Sequence, residues 1–317
     1  MGMFDVEFYN LLMEAFDALY NAGNARHTRS GALPEQPAIL QLRAGRAESP
    51  GWFLIQAAEF DPEPLTVASL RVRDVYASDR IVQALLELMA SEGWLDRSMH
   101  DTYALTAKGR AILQQRIQAQ RELIAGLEPQ PADAIAQLAA LLGQLIEASL
   151  AAPVPPGSWC LAHSRRRAPA NDDPALLRIA QYFSDFNAFR DDAHMAAWQS
   201  QQLDGYVWEA FALVCGGEAD SAATLFDQLA YRGFSVGEYA AALEILTRRN
   251  WLEPATLANT YRVTAAGHTA RALVEQLTDS FFYAPWSCLP EAKVAELRAL
   301  LLQFRSFYTN LQRGYDD

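Results

Sequence analysis

Apolar positions recur at helical spacing along almost the whole chain, and polar or proline-rich breaks divide it into segments. Phe4, Phe8, Leu11, Leu12, Ala15, Phe16, Leu19 and Tyr20 predict an amphipathic helix over 4–21, with Asn21, Gly23 and Asn24 as its stop. A basic, turn-rich stretch from Arg26 to Gly31 follows, then a short helix over 38–46 and a break at Ser49-Pro50-Gly51. Three helices are predicted next, over 52–59, 65–71 and 78–92, with a turn at Asp61-Pro62-Glu63-Pro64 and Ser78 as the cap of the third. The apolar set Ile81, Leu85, Leu88 and Met89, broadened by Val82 and Leu86, is expected to bury that third helix. Trp94-Leu95 and Tyr103-Ala104-Leu105 read as two short strands around a polar tip, Arg97 to Asp101. Thr106 opens a helix running through Ile112, Ile117 and Leu123, another helix spans 131–150, and Ala151 to Gly157 is the clearest linker.

The second half replays this order. Helices are expected over 174–202, 206–214, 219–231 and 235–249, strands at Trp251-Leu252 and Tyr261-Arg262-Val263, then helices over 265–278 and 290–311 around the run Phe281 to Trp286. The two halves align at a distance of about 157 residues, with about ten identities over about thirty positions against two or three by chance. The identities include Ala84/Ala241, Leu86/Leu243, Trp94/Trp251, Leu95/Leu252, Tyr103/Tyr261, Thr106/Thr264 and Gly109/Gly267. Three helices, a short hairpin and a closing helix make the order of a winged helix. The fold expected is therefore mainly α, two fused winged helix-turn-helix units with flanking helices. The halves fall at 1–152 and 153–317, with the winged units at about 51–125 and 206–280.

Composition adds limits. Of 317 residues, 51% are hydrophobic and 20% charged, ordinary values for a globular protein. The apolar runs are all broken before the roughly 18 residues a membrane span needs, and the acidic start lacks the basic region of a signal peptide, so a cytoplasmic protein is expected. The cysteines, Cys160, Cys215 and Cys288, match neither zinc spacing nor a disulfide framework. A net charge of -12 opposes nucleic acid at long range, so any DNA contact must be local.

The blocks Gly93-Trp94-Leu95 with Tyr103-Ala104-Leu105-Thr106-Ala107-Lys108-Gly109, and Trp251-Leu252 with Tyr261-Arg262-Val263-Thr264-Ala265-Ala266-Gly267, resemble the winged helix of MarR-type transcription regulators. The second copy, with its trailing Phe282-Tyr283-Ala284-Pro285-Trp286, looks closer to bacterial winged-helix proteins related to the SalK group. The resemblance implies that the flanking helices pair the halves as an intramolecular pseudo-dimer, monomeric or itself dimerised. It also implies that the third helix of each unit reads a major groove while the hairpin reaches the backbone.

Against that expectation, the first third helix carries Asp79, Glu87 and Glu92 beside one arginine, Arg80, and the second carries Glu238 and Glu244 with Arg248 and Arg249 at its far end. The first hairpin offers Arg97 and His100 against Asp96 and Asp101, and the tip of the second, Pro254 to Asn259, is uncharged. Candidate DNA contacts are thus Arg71, Arg73, Arg80, Arg97, Arg248, Arg249 and Arg262, making double-stranded DNA a weak or conditional partner. Other basic clusters, Arg26 and Arg29, Arg43 and Arg46, and Arg165-Arg166-Arg167, read as solvated loops.

Enzyme chemistry has little support. Gly216-Gly217 is not a phosphate loop, Asp191 and His194 on one helical face make at most a partial metal site because two ligands are not a site, and no cofactor is implied. MarR-like folds hold small aromatics beside their flanking helices, and Arg190, His194, Trp198, Trp208, Tyr283 and Trp286 are the candidate lining of such a pocket. Two functions follow: a transcription-regulator-like protein under small-ligand control, or a winged-helix module for small ligands or proteins that does not bind DNA.

Overall fold

An Ala- and Leu-rich chain with few β-branched residues favours helix, and helices dominate the computed structural model, which describes residues 6–30, 50–98, 101–127, 131–155, 157 and 159–316. In chain order these are α1 (Val6–Ser30), α2 (Pro50–Phe60), α3 (Val67–Arg73), α4 (Asp79–Ser91), β1 (Leu95–Arg97), β2 (Tyr103–Leu105), α5 (Ala107–Ala125), α6 (Ala132–Ala151) and α7 (Trp159–Arg165). There follow α8 (Ala175–Gln199), α9 (Gly205–Gly216), α10 (Ala222–Leu229), a 3-10 turn (Ala230–Arg232), α11 (Val236–Arg248), β3 (Leu252–Pro254), β4 (Tyr261–Val263), α12 (Ala265–Tyr283), a second 3-10 turn (Ala284–Cys288) and α13 (Glu291–Asp316). The helix expected over 38–46 with Arg43 and Arg46, and His100 of the first hairpin, lie outside the described residues.

The chain forms two compact units, and both sequence halves contribute to each. One unit gathers the flanking segments, 1–35, 114–193 and 278–317. Here α1 lies along α13, and α6 meets α13 and the second 3-10 turn. The core is aromatic: Phe8 meets Trp286 edge-on at 5.1 Å, and Phe183 meets Phe304 at 5.8 Å. Leu138, Leu142, Leu145 and Ile146 of α6 join it. By length and a mean hydropathy of 1.5, α6 could cross a membrane, contrary to the reading of broken apolar runs. Asp133, Gln137, Gln144 and Glu147 interrupt the run without lowering its average enough.

The other unit, 36–113 and 194–277, holds both repeated segments. Each segment has three helices followed by a two-stranded antiparallel hairpin, Leu95 pairing Leu105 in one and Leu252 pairing Val263 in the other. The third helices α4 and α11 bury the same positions, Val82, Leu85, Leu86 and Met89 against Tyr239, Ala242, Leu243 and Leu246. Both N-caps are serines, Ser78 accepting from the Ile81 amide and Ser235 from that of Glu238. The residue before the N-cap of each second helix also bonds the second strand, Leu65 with Tyr103 and Asp220 with Tyr261.

Several expectations fail for identifiable reasons. The first helix runs through its predicted stop, because Gly23 is the place where Leu123 packs and a Cβ there would overlap that side chain. Leu88, expected in the core, is 38% exposed, since the buried stripe runs through Val82, Leu85, Leu86 and Met89. Arg97 belongs to β1 rather than to the hairpin tip. Of the predicted loop Arg165-Arg166-Arg167, the last two residues form a turn, but Arg165 ends helix α7, whose Cys160 and Leu161 amides donate to Asp192. Arg165 itself binds the buried Asp185 at 2.9 Å.

Candidate nucleic-acid interface

In a helix-turn-helix protein the third helix presents its N-terminal turn, so Ser78 to Val82 and Ser235 to Tyr239 set the site. Each serine fixes its helix start by accepting an amide that has no partner inside the helix. The residues left facing solvent are Asp79, Arg80, Ala84, Glu87, Leu88 and Ser91 on α4, and Val236, Gly237, Ala241, Glu244 and Arg248 on α11. Glu87 and Glu244 occupy the same position in their copies, so each face is acidic in its middle.

The two N-terminal turns meet each other. The Ser78 amide donates to the Arg232 carbonyl at 2.8 Å. The Arg80 guanidinium donates to Glu238 at 2.7 Å and to the Gly233 carbonyl at 2.6 Å. The Arg80 bond, followed by bonds from Ser235, holds the Glu238 carboxyl down at about 2. Beneath lies Arg232, 7% exposed, whose guanidinium donates to Asp74 at 3.2 Å and to Glu209 at 2.6 Å. Burial pushes the Glu209 carboxyl up despite that bond. Two glycines let the copies approach this closely. A Cβ at Gly205 would overlap the Val75 carbonyl oxygen, and one at Gly233, whose φ is +77°, would crowd Ser78 and Ile81.

The candidate arginines separate by environment. Arg71 pairs with Asp79 at 3.2 Å and donates to the Val75 carbonyl. Arg73 turns inward onto Glu59, its side chain 9% exposed. Arg97 pairs with Asp101, Arg248 with Glu244 at 3.7 Å, and Arg262 with Glu253 at 2.8 Å, all near the surface. Arg249 donates to the carbonyls of Gln201 and Gln202 and lies over the Trp251 ring. Exposed pairs of this kind contribute little because water screens them, so a phosphate can replace the carboxylate at small cost.

The aromatic candidates fall into the two units. In the unit with the repeats, Trp198 and Trp208 stack at 6.2 Å, Trp208 Nε1 donates to His194 Nε2 at 3.2 Å, and Trp198 Nε1 donates to the Tyr76 hydroxyl at 3.0 Å. In the flanking unit, Arg190 pairs with Asp279 at 2.6 Å and lies over the Tyr9 ring, while the Tyr283 hydroxyl accepts the Tyr9 amide beside Trp286. Among the described residues no three His, Cys, Asp or Glu side chains gather as metal ligands.

Arg232, Asp74 and Glu209 were not singled out from sequence, because residues 158 positions apart carry no local signal of contact. One sign was available: Arg232 stands three residues before its N-cap Ser235, where the first copy has the apolar Val75 before Ser78.

A three-helix segment with capped third helix and hairpin, present twice, defines a helix-turn-helix protein. The chain belongs to a helix-turn-helix family whose model matches residues 76–310, so the match takes in α4, the whole second segment and most of the flanking helices. No curated protein and no solved structure gives a significant match.

Proposed function

We propose that this protein is a winged-helix, transcription-regulator-like protein of the cytoplasm that binds double-stranded DNA weakly and conditionally, and that it has no enzymatic role. Its two segments form an intramolecular pseudo-dimer in this reading. The observation that carries it is the doubling of the helix-turn-helix segment, with equivalent caps, buried positions and hairpins, within a helix-turn-helix family. Weak binding follows from charge. Each phosphate contact displaces a carboxylate already paired to an arginine, and the acids at Glu87 and Glu244 repel the duplex. The cytoplasmic part is supported by cysteine spacing that fits neither zinc ligands nor a disulfide framework, and the non-enzymatic part by Cys215, whose thiol burial pushes up to about 11.

Small-ligand control fits the aromatic layer around Trp198 and Trp208. Tyr76 of that layer is two residues from the cap Ser78 and lies under the Arg232 guanidinium at 5.3 Å, so displacement of the layer reaches the N-terminal turn of α4 directly. Tryptophan fluorescence during titration with small aromatics reads this.

The test of DNA binding is anisotropy of a labelled random duplex from about 20 to 200 mM salt. If Arg80, Arg97, Arg248 and Arg262 reach phosphates, log K falls against log salt with a slope near -3 to -4, at about -0.9 per phosphate. Absence of binding at the lowest salt overturns the DNA reading and favours an interaction module instead.

A further inference from the structure

We infer that α4 and α11 form one composite reading element that addresses a single segment of one groove, rather than two half-sites a helical turn apart. This inference rests on the DNA-binding reading above and concerns the geometry of the contact.

Two-fold helix-turn-helix proteins place their third helices about 34–36 Å apart, one turn of duplex. That spacing is closed to this molecule. The Ser78 amide bonds the Arg232 carbonyl at 2.8 Å, and Ser235 is only three positions along the chain from Arg232. At no more than about 3.6 Å per residue, the two N-caps lie under about 18 Å apart. Base contacts come from the turns that follow these caps, so both sets of readers start within about half a helical turn of each other.

The closeness is built in rather than incidental. Arg232, which shares its own segment with Glu209, reaches across to Asp74 of the other, and separating the segments would strand the buried Asp74 carboxylate away from that guanidinium. Gly205 and Gly233 hold the backbones too close for a side chain to intervene. At the rim, Arg80 of α4 is tied to Glu238 of α11, with the Arg80 side chain 63% exposed at the seam between the helices. A duplex segment laid across the seam meets Arg80 first, and the copies around it differ: Asp79 and Arg80 on one side, Val236 and Gly237 on the other. The preferred sequence is therefore short and lacks two-fold symmetry.

The experiment is selection of bound duplexes from a random library by the full chain, followed by hydroxyl-radical footprinting of the enriched sequence. The expected result is one protected stretch of about one helical turn without a palindrome, with Arg80→Ala weakening binding at least fivefold while its melting curve is unchanged. Two protected stretches centred about 10 base pairs apart, or a palindromic consensus, overturn the composite element and leave DNA binding intact. Unchanged affinity of Arg80→Ala overturns the placement of the seam. Failure to enrich any duplex overturns DNA binding and the composite element together.

Discussion

Asp192 shows how one buried carboxylate links sequence, local structure and pH. It sits on α8 at 3% exposure and accepts the Cys160 and Leu161 amides at 2.8 and 2.9 Å, which starts α7. Burial outweighs these bonds and pushes its pKa from 3.8 up to about 6. A carboxyl raised in the folded state contributes stability below its unfolded value and loses it as pH rises through the folded one. The contribution is therefore complete below about pH 4 and gone above about pH 6, a span of roughly 3 kcal/mol. Urea unfolding of wild type and Asp192→Asn between pH 4 and 7.5 checks this: wild type should lose about that much relative to the variant. A constant difference between the two proteins sinks the assignment. Glu238 titrates in the opposite sense, since Arg80 and Ser235 lower it, and its small surface contribution disappears only as pH falls toward 2. The pattern Asp191-Asp192-Ala193-His194 drew attention to Asp191 and His194 as a face, whereas Asp192 has the structural task, and its partners lie 31 and 32 residues away.

The repeated Thr-x-x-Gly block shows why some elements were legible in advance. Thr106 and Thr264 each accept the amide of the glycine three residues on, at 3.0 Å, and donate to the carbonyls of Gly93 and Asn250. Gly93 and Asn250 both have positive φ, +72° and +59°, so a tight left-handed turn precedes each tryptophan. At Gly109 and Gly267 a Cβ would overlap the carbonyl oxygens of Trp94 and Trp251, because α5 and α12 begin against those backbones. Helix propensity alone makes Gly→Ala stabilising by about 1 kcal/mol. The contact reverses that sign: Gly109→Ala and Gly267→Ala should each lower stability, and a raised denaturation midpoint for either would show that the backbone yields instead. Where elements were misread, the cause was again contact. α1 continues past its glycine because Leu123 fills the gap, and α7 forms because Asp192 satisfies its first amides.

At the scale of the molecule, the joining of the two segments depends on the buried triad. Arg232 satisfies Asp74 and Glu209 together and lies over the rings of Tyr76 and Tyr231 at 5.3 and 5.0 Å. Removing the arginine leaves the buried Asp74 and the partly buried Glu209 without their cation, which destabilises by about 3–5 kcal/mol. Arg232→Ala should therefore lower the unfolding free energy by that amount in denaturant titration. A change below about 1 kcal/mol would mean that water or protonation relieves the carboxylates. The candidate pocket residues also divide at this scale, His194, Trp198 and Trp208 in one compact unit and Arg190, Tyr283 and Trp286 in the other.

The sequence by itself determined what periodicity and local chemistry encode: helices from apolar spacing, serine and threonine caps, hairpins from short strands around polar tips, and the doubling of the whole set. Each of these depends on residues within a few positions of one another, so a pattern in the chain is enough to show it. Tertiary structure decided which arginines stay at the surface, since Arg73 turns onto Glu59 while Arg262 remains out on its strand. It also decided that the flanking helices gather in one unit and the repeats in another, and that the two reading turns touch. Those outcomes depend on partners as far apart as Asp74 and Arg232, and burial and charge pairing across such distances are settled only when the chain has packed.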